Sequence, residues 1–279
     1  AFYLYKKHKF LRQEAQSWWV GKSLEDFKKS LDIININLEI IETSSYKSFF
    51  EKLFKKKDIC IYWNKTYEPD YLKFDKYLST NLKINQIHFQ IFKGNILNEI
   101  EEVKKADGTP FKVFTPYWRN AEKFYIEKVP SIQKNISKCK KKLSFFKKTM
   151  SLEEIFPKNR WSKKFEKYWN PSEENALKKL RAFIKVIENY SNSRNFPIIS
   201  GTSKLSPYIR HGQIHVETIW DECSKIKKSG VNKFLTEIGW REFNHTLINN
   251  FPYMLKGNYS KKFDKFPWVK NQKLLNAWK

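Results

Sequence analysis

Over its first 125 residues the chain alternates short runs of aromatic and β-branched side chains with longer helical patterns, and this alternation leaves few folds open. FYLY stands at 2–5, a helical pattern runs from Gln16 to Ile33, and LEII follows at 38–41. A second helical pattern near 45–55 precedes ICIYW at 59–63, and a polar helix from Asp70 to Asn81 precedes IHFQIF at 87–92. Strands separated by helices of this length predict a parallel sheet with helices on both faces. The first domain, 1–127, is therefore expected to be α/β.

The segment 128–170 is lysine-dense and shows no sustained period, which predicts a connector running over the surface. At Pro171 the character changes. PSEENALKKLRAFIKVIENY offers a Ser cap, acidic residues in the first turn, and apolar positions at Leu177, Leu180, Phe183, Ile184 and Ile187. An all-α domain is expected over 171–279, with further helices around 207–227, 231–250 and 270–279.

The formal charge of +25 fits a polyanionic partner, since Lys and Arg that neutralise phosphates supply most non-specific nucleic-acid affinity. Lys outnumbers Arg by 47 to 7, a bias that AT-rich coding also produces, so charge alone leaves the partner open. The few arginines are more informative, because a guanidinium kept in such a composition suits places that need a planar, bidentate donor. No run of about 18 apolar residues occurs, and the N-terminus shows neither a signal-peptide core nor a cleavage site, so a cytoplasmic chain without membrane contact is expected. Cys60, Cys139 and Cys223 are odd in number and widely spaced, and are expected to be buried free thiols.

Two stretches carry chemistry. In GTSKLSPYIRHGQI, from Gly201, the hydroxyls of Thr202, Ser203 and Ser206 precede a helix. They read either as a helix cap or as a seat for anionic groups at a helix start. In FLTEIGWREFNHTLI, from Phe234, the spacing sets Glu237, Trp240 and Arg241 on one helix face. They read either as a core Trp with a surface ion pair or as a functional face. His211 and His215 stand four apart but have no third ligand at a suggestive spacing. A solvated face or DNA edge is expected for them, with no metal, and His245 is expected on the helix surface or in packing.

Together these stretches resemble the flavin-binding half of the DNA photolyase/cryptochrome family, most closely its class I cyclobutane pyrimidine dimer photolyases. Thr202-Ser203-Lys204-Leu205-Ser206 resembles the family's phosphate loop, and Glu237 to Phe243 resembles its E-x-x-W-R-E-F helix, with Gly239 unusual. Tyr190, Arg194 and Phe196-Pro197 stand at the family's distances before Thr202. WNKTYEPDYLKFD from Trp63, KVFTPYWRNAEKFY from Lys112, and KKFDKFPWVKNQKLLNAWK from Lys261 extend the likeness along nearly the whole chain. The resemblance implies a Rossmann-like parallel five-stranded sheet lacking its first strand, then a truncated FAD-binding domain. A fragment is expected, with an unpaired position in its sheet and poor FAD binding on its own.

The resemblance further implies that Tyr190, Thr202, Ser203, Lys204, Leu205, Ser206 and Phe234 contact FAD, and that Arg241 lies beside it. Arg194 would hold a DNA phosphate, Trp240 would stack on flipped bases, and Glu237 would hydrogen-bond a thymine edge as a protonated or proton-sharing acid. Trp268 matches the surface end of the family's tryptophan chain. The implied activity is light-driven repair of cyclobutane dimers by electron transfer from reduced FAD, on UV-damaged DNA, by a monomer. Glu237 favours this lesion over the (6-4) product, for which the family usually carries Gln. Asp70-Tyr71 departs from the folate-binding pattern, leaving the antenna chromophore, folate or other, open. A blue-light photoreceptor that binds FAD without repair is the alternative, and a cofactor-free basic nucleic-acid-binding module is the third reading.

Overall fold

The computed structural model describes residues 1–5, 14–56, 58–126, 137–158, 161–267 and 269–279. Two βαβ units open the chain. Strand β1 (Phe2–Tyr5), helix α1 (Glu14–Ile33) and strand β2 (Glu39–Glu42) form the first, with Phe2 opposite Glu39 and Tyr5 opposite Glu42 in parallel register. After α2 (Tyr46–Leu53), strand β3 (Cys60–Asn64), helix α3 (Pro69–Ile84) and strand β4 (His88–Phe92) form the second, with Cys60 opposite His88.

Local chemistry sets these boundaries. Ser45 caps α2 by accepting from Ser48 N, and Pro69 fixes the first residue of α3, where its missing N–H costs nothing. Helices α1 and α3 both end in a left-handed residue, Asn35 at φ 61° and Gln86 at φ 56°. In each, the next amide reaches back five residues, Ile36 N to Leu31 O and Ile87 N to Leu82 O, both at 2.9 Å. This satisfies otherwise orphaned carbonyls and turns the chain toward the following strand.

In place of one five-stranded sheet the structure has two parallel ribbons, β1 with β2 and β3 with β4, and among the described residues no ladder joins them, in keeping with the unpaired position expected in the sheet. They nevertheless share one core. Leu4, Ile41, Ile61, Trp63 and Phe89 pack with Phe49, Phe50 and Leu53 of α2 and with Leu78 and Leu82 of α3. Side-chain packing holds the pairs together where ladder bonds do not.

Helix α4 (Phe114–Ile126) leads to the connector, of which 127–136 and 159–160 lie outside the described residues. The remainder is largely irregular, with short 3₁₀ turns at Leu152–Glu154 and Trp161–Lys167. The helical half follows: α5 (Glu173–Val186), α6 (Tyr190–Ser193), α7 (Ser206–Arg210), α8 (Val216–Ser224), α9 (Ser229–Asn250) and α10 (Gln272–Trp278). Ser172 caps α5 by accepting from Asn175 N. The single helix expected over 207–227 is broken, because Gly212, at φ 75°, closes α7 with the same five-residue return from Gln213 N to Tyr208 O. A residue with a Cβ resists that conformation.

A second, larger core crosses from the α/β half into the helices. Trp18 and Trp19 of α1 and Tyr117 and Trp118 of α4 pack with Leu180, Ile187, Phe234 and Phe243. Cys223 belongs to it, whereas Cys60 and Cys139 are exposed, correcting the expectation of three buried thiols. Among the described residues, no helix is long and apolar enough to cross a membrane, and no group of His, Cys, Asp and Glu is arranged to hold a metal ion.

Candidate functional site

The two halves are fastened at the carboxyl ends of β3 and β4. Asn95 donates to the carbonyls of Ile209 and Ile214 at 2.9 and 3.2 Å and accepts from Val216 N at 2.9 Å. Beside it Lys93 pairs with Glu217, and the His215 ring meets Gly94 O at 3.0 Å. Leu97 N donates at 2.7 Å to Glu242, which is only 2% exposed and also pairs with Arg241 at 3.2 Å. Burial pushes the Glu242 carboxyl up to about 7, against the pull of Arg241 and the Leu97 and Asn98 amides.

These fastenings leave a cleft of about 560 Å³ between the strand ends and α6, α7 and α9. The loop 64–68 and Gly94-Asn95 form one wall, while Tyr190, Ser203, Ser206, Phe234, Glu237 and Arg241 contribute to the other. Open α/β sheets characteristically bind ligands outside the carboxyl ends of their strands. The rings of Tyr190 and Phe234, both largely buried in the larger core, form part of the cleft floor, with hydroxyls at Ser203 and Ser206 and a guanidinium at Arg241. Arg210 of the cleft pairs with Glu68 at 3.2 Å, and Lys65 with Glu99 at 3.1 Å. His245 also lines it, and burial, aided by Arg241, lowers its imidazole to about 4, so it is neutral at pH 7.

The phosphate-loop residues divide. Ser203 and Ser206 reach the cleft, Thr202 and Lys204 stand exposed outside its lining, and Leu205 is buried in the larger core. Lys204 takes φ 53°, which reverses the loop immediately before α7.

Glu237 pairs at the cleft mouth with Arg194, which follows α6, and with Lys233 at 3.2 Å. Burial raises its carboxyl, but the two cations together hold it below the usual carboxylate range. Glu237 is thus held as a carboxylate in the free protein, where Arg194 and Lys233 are its partners. Trp240 is 41% exposed and lies outside the cleft lining, with one ring face against Phe114 at 3.8 Å and 10°. Trp268 lies outside the described residues.

Gly239 has a steric reason: a Cβ there would meet the Trp118 ring at 2.5 Å. The solvated or DNA-edge reading of the two histidines is corrected. His211 stacks on Trp19 at 6.0 Å, and His215 is engaged with Gly94. Sequence reasoning missed Lys65, Asn95, His245 and Glu242. The run of polar residues at the two strand ends was the available signal for the first two, and nothing in the sequence marked Glu242 as the buried fastening.

The family described as DNA photolyase matches residues 1–134. A deoxyribodipyrimidine photo-lyase of Agrobacterium fabrum is 28% identical over 269 residues, covering 95% of this chain and 56% of that protein. Cryptochrome-2 of Arabidopsis thaliana is 25% identical over 292 residues, covering 97% of the chain and 47% of that protein. The chain therefore spans about half the length of these curated relatives. A solved bacterial class III photolyase from Agrobacterium tumefaciens superposes with a TM-score of 0.86 at 28% identity, covering 99% of this chain and 58% of that one. Its class differs from the class I expected from the motifs.

Proposed function

The chain belongs to the DNA photolyase/cryptochrome family, and from that premise we propose that its cleft and the adjoining side of α9 serve light-driven repair of cyclobutane pyrimidine dimers in DNA. The observation that carries this reading is the pairing of Arg194 with Glu237, a residue of the cleft wall, with the exposed Trp240 three residues further along α9 from Glu237. These groups match the three parts of a flipped lesion: a backbone phosphate, a base edge and a base face.

The cleft suits FAD by the chemistry of its lining. Ser203 and Ser206 would hold phosphates, Tyr190 and Phe234 would pack the apolar parts, and Arg241 would lie beside the group. Reduced FAD, when bound, supplies one electron to the dimer and takes it back, which no side chain can do. The protein's own residues bind and orient. Trp240 offers one ring face to an extruded base, since Phe114 occupies the other. Stacking of this kind contributes about 1–3 kcal/mol per base. Glu237, as a carboxylate, accepts from a thymine N3–H, while Arg194 holds the backbone phosphate.

The test is illumination of the gene product containing this chain, reduced and mixed with DNA carrying a defined thymine dimer. Recovery of intact thymines supports repair. Flavin absorbance without recovery moves the protein to the photoreceptor reading, which the 97% coverage by cryptochrome-2 keeps in view.

A further inference from the structure

We propose that, in the DNA-free protein, the Glu237 carboxylate occupies the seat that Arg194 and Lys233 offer to a backbone phosphate, so that DNA binds by exchanging one oxyanion for another. This rests on the repair reading above and adds how that site discriminates against intact DNA. Arg194 Nη1 and Lys233 Nζ both reach Glu237 Oε1, one from the end of α6 and the other from one turn earlier on α9. Two cations face one carboxylate, which leaves excess positive charge at the cleft mouth.

The seat is accessible. The side chains of Arg194 and Glu237 are each 27% exposed, and Lys233 is more open. The Arg194 guanidinium also lies 5.5 Å over the ring of Tyr190, a residue of the cleft wall, and the chain that follows it is exposed at 195–200. A guanidinium binds carboxylate and phosphate with the same planar fork, so Arg194 can trade one for the other without losing hydrogen bonds. What differs is the fate of Glu237. An undamaged duplex supplies the phosphate but leaves the released carboxylate short of a partner. An extruded thymine supplies its N3–H as well. The ion pair therefore weakens binding to every phosphate backbone, and only a flipped base offsets the loss.

The experiment measures the affinity of the full chain for a labelled duplex, undamaged or carrying one thymine dimer, by fluorescence anisotropy. Wild type, Glu237→Gln, Arg194→Ala and the double variant are compared, with thermal melts to verify that each is folded. Glu237→Gln is expected to bind the undamaged duplex roughly two- to fivefold more tightly, the scale of a partly exposed ion pair. That gain should vanish when Arg194 is also Ala.

A gain that survives in the Arg194→Ala background reflects only the removal of a negative charge and overturns the proposal. An unchanged or weakened affinity in Glu237→Gln overturns it too. If wild type shows no preference for the dimer while the Arg194-dependent gain remains, the exchange stands and the repair reading is what fails.

Discussion

Phe114 and Trp240 lie face to face, their ring centroids 3.8 Å apart and their planes 10° from parallel. Phe114 belongs to α4 and Trp240 to α9, so one helix sets the attitude of a ring on the other. Because only one face of Trp240 is open, its contribution should depend on an unstacked base. Trp240→Ala is expected to remove about 1–3 kcal/mol of preference for dimer-containing over intact DNA. Arg194→Ala should instead weaken both duplexes alike and reduce the slope of log K against log salt by about 0.9. Titrations of the two duplexes at several salt concentrations separate the two behaviours.

Gly239 holds the same assembly from beneath. Its missing Cβ leaves room for Trp118, which is buried and wedged between Phe114 and Trp220 and therefore has little freedom to shift. Gly239→Ala gains about 1 kcal/mol of helix propensity but overpacks the contact by about 1–3 kcal/mol. Net destabilisation is expected in urea unfolding, together with a changed Trp240 fluorescence. A stabilised variant would show that Trp118 can move.

Gln86 closes α3 in a left-handed conformation that suits Gly better than a residue with a Cβ. Gln86→Gly should stabilise the chain by up to about 1 kcal/mol, less what the unfolded state gains in freedom. The midpoint of urea unfolding reads the difference. A loss of stability would mean that the Gln86 side chain contributes more than its backbone conformation costs.

The order and type of elements were readable because they follow local rules. The strands at 60–64 and 88–92, the Ser172 cap and helix α9 all sit within a few residues of where periodicity and capping chemistry put them. Less was readable where the outcome depends on partners distant in sequence. The Arg194–Glu237 pair joins residues 43 apart, and the Glu242–Leu97 bond joins residues 145 apart. In Glu237-Ile238-Gly239-Trp240-Arg241-Glu242, the sequence marks two carboxylates, but only packing decides that Glu237 meets solvent and that Glu242 is buried.

Burial of Glu242 gives the fold a pH dependence. Its carboxyl titrates near 7 in the folded chain, against an ordinary 4.5, so the folded state holds more protons than the unfolded state between those values. Stability should therefore fall as pH rises from about 4.5 to about 7 and then level off, by an amount of order 3 kcal/mol from this group. Glu242→Gln removes the titration while keeping an acceptor for Leu97 N. Relative to wild type it should be more favourable at pH 8 than at pH 5, and parallel stability profiles would contradict the assignment.

The most direct measurement is dimer conversion under blue light by the gene product containing this chain, photoreduced and compared with its Glu237→Ala and Trp240→Ala variants on the same substrate. The account predicts restored thymines with the wild type, none with Glu237→Ala, and a weakened yield with Trp240→Ala that traces to poorer lesion binding. Intact dimers after illumination of a flavin-loaded wild-type protein would contradict it.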